Sequence, residues 1–174
     1  FYSPEELQMA INEKNDNQSL GISRLTATYD WEYSSQSKPK DSDYCCVRIG
    51  DWSCPWNRQL AKEKESKHLS WIEQSQTIHE IGSTFTVQGF DLNYVGVIIG
   101  PSVKYRDGKI IFDISESKNK SAVQNRKLES GEMINYGETL LRNELNVLLT
   151  RGVNGLYVYA VDEELQQALK NATK

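Results

Sequence analysis

Arg151 follows the leucine pair Leu148-Leu149 and Thr150 and precedes Gly152, while Gln88, Gly89 and Asp91 stand just ahead of the apolar run 94–99. A guanidinium is a planar, permanently charged fork that can stabilise the charge spread over phosphate oxygens during phosphoryl transfer. An equally simple role is open to it, since a cation at a helix C-terminus neutralises that end. Gln88 and Gly89 read as a strand-to-helix turn in which an amide side chain and close-approaching backbone N–H groups can meet a nucleotide or a nucleic-acid strand. Asp91 can accept from ribose hydroxyls or cap the following helix. Thr86 and Thr150 place hydroxyls at element ends, where Thr86 can touch a nucleic-acid phosphate and Thr150 can orient Arg151, or where both are ordinary end residues.

Other residue types offer less specific chemistry. Tyr29, Trp31, Trp52 and Trp56 can stack on unpaired bases, or pack a core. Arg24, Lys104, Arg106, Lys109 and Arg142 can contact phosphates, although scattered cations in an acidic chain usually form a solvated face. Glu80, Asp91 and Asp113 are the carboxylates from which a metal-dependent nuclease cluster could be built, but their spacing does not select that. His68 and His79 lack partners at catalytic or metal-ligand spacing, and Cys45, Cys46 and Cys54 read as thiols rather than a zinc site, so no metal centre is expected.

These residues need elements to hold them. Ser3, Pro4 and the following glutamates open an N-terminal helix that ends in the polar run 12–19. Residues 21–33 alternate as a strand does, 34–43 read as a polar loop, 47–52 as a short strand and 58–67 as a charged, exposed stretch. Residues 81–87 suggest a strand, 89–93 a turn or short helix, and 94–99 a buried parallel strand stopped by Gly100-Pro101. Asp107-Gly108 between alternating flanks marks a hairpin over 103–113. Residues 114–132 form a polar excursion expected to be mobile. Tyr136, Leu140, Leu141, Leu145, Leu148 and Leu149 share one helical face ending at Gly152, before a strand over 155–161 and a helix over 163–170. Strand and helix in alternation imply an α/β fold, a mainly parallel sheet flanked by helices with an inserted β-hairpin. No role is assigned to residues 34–76.

The 174 residues fit one domain. With 38% hydrophobic and 25% charged residues and a net charge of −4, the chain has the make-up of a folded, polar-surfaced protein in which any nucleic-acid contact must be a local patch. Absence of a long apolar run or a signal pattern points to a cytoplasmic protein with no membrane partner. The start at Phe1, directly before a helix-start pattern, suggests a piece of a longer polypeptide.

Residues 86–91 (TVQGFD) with the strand after them resemble motif V of superfamily 1 helicases, and residues 148–152 (LLTRG) with the strand after them resemble motif VI. Adding ATYDW (27–31), PWN (55–57), GFDLNYVGVIIGP (89–101), YRDG (105–108) and LLTRGVNGLYVY (148–159), the chain resembles the helicase domain of the long Schlafen proteins and their bacterial relatives. The resemblance implies a single RecA-like C-terminal helicase lobe over residues 1–174, in which Arg151 is the arginine finger and Gln88, Gly89, Asp91 and Thr150 face the nucleotide. Thr86, Arg24 and Trp31 are, from their own chemistry, the residues expected on the side of single-stranded nucleic acid, and the resemblance implies an N-terminal RecA-like lobe of the same polypeptide as partner. No G-x-x-x-x-G-K-[ST] loop or paired acidic strand end occurs here. ATP and Mg²⁺ are therefore expected only in the full-length protein, with this lobe inactive alone. A non-catalytic interaction module derived from such a lobe is the other expectation.

Overall fold

The computed structural model describes residues 1–17, 21–33, 45–57 and 68–173. Its centre is a parallel three-stranded sheet of β1 (Ser23–Ala27), β4 (Leu92–Ile99) and β9 (Gly152–Ala160) in the order β1-β4-β9. Two short strands, β2 (Cys46–Ile49) and β3 (Trp52–Pro55), form an antiparallel hairpin between β1 and β4 in the chain. β4 is central because it is apolar on both sides. Val95, Val97 and Ile99 enter one core cluster and Ile98 the other, as a strand with a period of two and two covered faces requires.

Helix α1 (Pro4–Asp16) covers one face. Its Ser3 Oγ accepts the Glu6 N–H at 3.2 Å and Pro4 occupies the first turn, so the helix starts where the sequence signals it. Leu7 and Ile11, one turn apart, pack on Leu25, Ala27 and Ile98. Gly96 is the close-approach point: a Cβ there would stand 2.5 Å from Leu25 Cδ2 and 2.8 Å from Ile11 Cγ1.

The other face is covered by α4 (Gly137–Leu149) through Leu145 and Leu148, and by α5 (Glu163–Ala172) through Leu165. Each such leucine contributes about 1.5–3 kcal/mol of burial. Asp162 caps α5 by accepting the Leu165 N–H, and Arg106 grips the same carboxylate with both terminal nitrogens at 2.9 and 2.7 Å. Arg106 holds Asp162 down to about 2. The hairpin of β5 (Val103–Arg106) and β6 (Lys109–Phe112) is thereby pinned to α5. Its turn has positive φ at both Asp107 and Gly108, the geometry that an Asp-Gly pair adopts readily.

The structure departs from the sequence expectation in four places. Residues 81–87 are not a strand. Ile81 and Gly82 make single parallel bridges to Trp56 and Thr26, and the chain then turns into α2 (Thr84–Val87). Hydroxyl groups decide this: the Ser83 N–H donates to Thr86 Oγ1 and Thr86 Oγ1 donates to Ser83 O, a local exchange that competes with sheet pairing. Residues 47–52 are divided between β2 and β3 because Gly50 turns the chain at positive φ. The strand expected over 21–33 ends at Ala27, where Thr28 and Asp30 bond each other instead. The excursion over 114–132 contains α3 (Lys120–Val123) and β7 (Arg126–Lys127), which pairs β8 (Met133–Ile134). The loop expected over 34–43 and the charged stretch over 58–67 lie outside the described residues. Among the described residues no helix is long and apolar enough to cross a membrane.

Candidate functional site

β4 and β9 are adjacent and parallel, so the segments that lead into them meet at one end of the sheet. Gln88 ends α2 and Gly89, at φ +82, reverses the chain toward β4. The turn runs from helix to strand, not from strand to helix as expected, and Asp91 has no helix to cap. α4 ends at Thr150, whose Oγ1 donates to Asn146 O at 2.8 Å, and Arg151 then leads into β9. The Leu92 N–H donates to Arg151 O at 2.8 Å and welds the two segments.

Arg151 is surrounded by acceptors. Its Nε donates to Val147 O at 3.0 Å, its Nη1 to Phe90 O at 3.4 Å, and Nη1 lies 3.6 Å from Asp91 Oδ1. The carbonyl of Val147 belongs to the last turn of α4, so the guanidinium does stabilise that helix end. It also reaches across to the turn before β4. Gln88, Gly89, Asp91 and Thr150 are exposed along the same edge, and Arg151 is partly so. The five residues expected to face a nucleotide are thus brought together on one side of the molecule.

The residues expected to meet nucleic acid are not gathered in the same way. Arg24 is corrected outright: it is 4% exposed and every N–H of its guanidinium has a protein acceptor, Thr77 Oγ1, Asn15 Oδ1, Ser23 O, Ile72 O and Gln74 O. Burial lowers its pKa to about 10. A side chain so engaged is a clamp between β1 and the segment 72–77, with no donor left for a phosphate. Thr86 is likewise buried, its hydroxyl closed on Ser83. Trp31 is partly exposed, donates Nε1–H to Arg48 O and packs edgewise on the buried Trp56 with ring centres 6.4 Å apart.

Three of the other candidate cations have carboxylate neighbours: Lys104 pairs Asp113 at 2.7 Å, Arg106 pairs Asp162 at 2.7 Å, and Arg142 pairs Glu138 at 3.2 Å while lying over the Phe112 ring. Glu80, Asp91 and Asp113 do not converge. Glu80 is buried and accepts from Trp71 Nε1, Asp113 belongs to the Lys104 pair, and Asp91 is on the Arg151 edge. Among the described residues no three His, Cys, Asp or Glu side chains come close enough to hold a metal ion, and no disulfide joins Cys45, Cys46 or Cys54.

Two buried carboxylates escaped the sequence reading. Glu144 of α4 accepts the Tyr29 N–H at 2.5 Å and Asn119 Nδ2 at 3.4 Å, and burial pushes its pKa up to about 7. Asp30 accepts from Thr28 Oγ1 and the Ser102 N–H at 3.0 Å each, and burial raises it as well. A signal for Glu144 was present, because it lies on the same helical stripe as Leu141, Leu145 and Leu148. An acid among core positions calls for a buried partner.

The family model for the Schlafen group 3 DNA/RNA helicase domain matches residues 1–162. An uncharacterized protein of Saccharomyces cerevisiae is 38% identical over 167 residues, covering 95% of this chain and 34% of that protein. The chain therefore spans about a third of the length of this relative. No solved structure matches.

Proposed function

Because the chain belongs to the Schlafen group 3 DNA/RNA helicase domain family, we propose that it is the second RecA-like lobe of an ATP-dependent helicase or translocase-like NTPase. The observation that carries this reading is the joining of the 88–91 turn to Arg151 across the ends of neighbouring strands. ATP would lie against this edge, held chiefly by an N-terminal RecA-like lobe of the same polypeptide, and this lobe alone would not hydrolyse it.

In that reading Arg151 is the arginine finger. Its present contacts are two carbonyls and one carboxylate that is 67% exposed. Such contacts are worth on the order of 1 kcal/mol each, so a γ-phosphate can replace them. Thr150 fixes the start of the turn that carries the arginine, while Gln88 and the backbone around Gly89 line the nucleotide side. With no carboxylate cluster among the described residues, ligands for Mg²⁺ would come from the partner lobe. Single-stranded nucleic acid would be followed by partly exposed groups such as Trp31, not by Arg24 or Thr86.

The test is ATP hydrolysis by the full-length protein with and without single-stranded nucleic acid, beside its Arg151→Ala variant. A loss of about 10³-fold or more supports the finger role. An inactive parent, or a variant with parental activity, would leave this lobe as a non-catalytic interaction module.

A further inference from the structure

The geometry points to a polar relay, Ser83–Asn57–Tyr29–Glu144–Asn119, whose members are positioning residues for the Asp91–Arg151 edge. The inference rests on the reading of that edge as nucleotide-facing, and it gives the ATYDW and PWN segments a task.

The relay begins at the N-cap of α2. Ser83 Oγ donates to Asn57 Oδ1 at 2.9 Å, and Asn57 Nδ2 donates to the Tyr29 hydroxyl at 3.3 Å. Asn57 is 5% exposed and sits at φ +62, a conformation that asparagine tolerates better than most residues. The Tyr29 peptide is then held from both sides. Its N–H donates to Glu144 Oε1, and its carbonyl accepts from the Lys118 N–H at 2.8 Å and from Ser117 Oγ at 3.3 Å. The other oxygen of Glu144 accepts from Asn119, whose own Oδ1 caps α3 by accepting the Ala122 N–H.

Two of these attachments lead directly to the edge. α2 runs from Ser83 into Gln88 and Asp91, and the Tyr29 ring also packs edgewise on Phe85 of α2 with centres 5.6 Å apart. α4 runs from Glu144 into Arg151 two turns later. Tyr29 therefore grips one half of the edge through its side chain and the other half through its backbone. A buried network fixes geometry because each member left without its partner carries a desolvation cost. Among the described residues, the titratable groups that act on Glu144 include Asp30 from the loop after β1 and the Tyr29 hydroxyl, and Arg126 lines the same groove of about 330 Å³ as Glu144, Phe85, Gln88 and Val147.

Backbone hydrogen exchange of the 174-residue chain tests the relay without any nucleotide. Tyr29→Phe removes only the hydroxyl joint, and Glu144→Ala removes both acceptor oxygens that hold the Tyr29 N–H and Asn119. Exchange over residues 86–92 and 147–152 is expected to quicken by about 3- to 30-fold in both variants, with α5 unchanged as an internal reference. Unchanged exchange in those segments, or an equal rise in α5, would overturn the proposal. In the full-length protein the same variants should lower kcat for ATP hydrolysis with little change in KM. Transmitted exchange in a parent that hydrolyses no ATP would keep the relay and sink the nucleotide reading. Parental exchange and kcat in both variants of an active parent would sink the relay alone.

Discussion

Asp91 and Arg151, sixty positions apart in the chain, stand 3.6 Å from each other where β4 and β9 begin. The pair is solvent-facing on the Asp91 side, so it marks where the two segments meet more than it holds them together; the Leu92 N–H to Arg151 O bond does the holding.

Asp91→Asn should therefore lower the unfolding free energy by less than about 1 kcal/mol. Urea denaturation of the chain measures this directly. A loss of several kcal/mol would mean that the pair is a structural fastener and that Arg151 is not at liberty to meet a phosphate.

Arg24→Met should behave in the opposite way. Five acceptors, four of them in buried hydrogen bonds, lose their donor together, and the expected cost is at least about 3 kcal/mol, read from the same denaturation curves. Phosphate contact predicts something else: a smaller salt dependence of nucleic-acid binding in a variant of nearly parental stability.

Glu144 makes stability pH-dependent with a defined sign. Its folded pKa is raised from 4.5 to about 7, so the folded protein binds the proton more tightly than the unfolded chain between those values. The stabilisation is complete below about pH 4.5, shrinks as pH rises and is gone above about pH 7, a change on the order of 3 kcal/mol. Asp30 acts in the same direction. Glu144→Gln should flatten the fall in melting temperature between pH 5 and 7.5; an equally steep fall in the variant would show that Glu144 titrates normally.

Gly96→Ala should cost about 1–3 kcal/mol, because the new methyl group meets Leu25 and Ile11 side chains held in the core between β1, β4 and α1. Gly89→Ala meets nothing within 4 Å and carries only the strain of a left-handed backbone, about 1 kcal/mol. Thermal unfolding of the two variants separates the crowding from the conformational effect.

Much of the framework was legible from local pattern. Ser3-Pro4 marks the true start of α1, Asp107-Gly108 the true turn of the hairpin, and the leucine stripe from 141 to 148 the buried face of α4. The residues of the candidate edge were legible for a different reason, since motif resemblance carries order along the chain and parallel neighbours then place Asp91 beside Arg151. What escaped was set by long-range partners. Arg24 looks like any strand cation until Ile72, Gln74 and Thr77 close around it, and no local pattern announces carbonyl acceptors fifty residues away. Residues 81–87 have strand-like side chains, yet the Ser83–Thr86 hydroxyl exchange folds them into a helical turn. Glu144 sits on the leucine stripe of α4, and its partners, the Tyr29 N–H and Asn119, lie 115 and 25 residues away, where the helical period leaves no sign of them.

The register of the sheet also governs how the chain reaches this structure. β1 pairs with residues 71 positions later and β4 with residues 60 or 61 positions later, so neither pairing can be closed by a local turn. Loop-closure entropy must be met before any inter-strand contact rewards it, which places folding toward the slower range for domains of this size. Of the three strands β9 is synthesised after β1 and β4, and until it pairs, β4 shows an open edge rich in valine and isoleucine. The strand that follows Arg151 thus also covers an apolar edge of β4 that would otherwise be open to pairing with another chain.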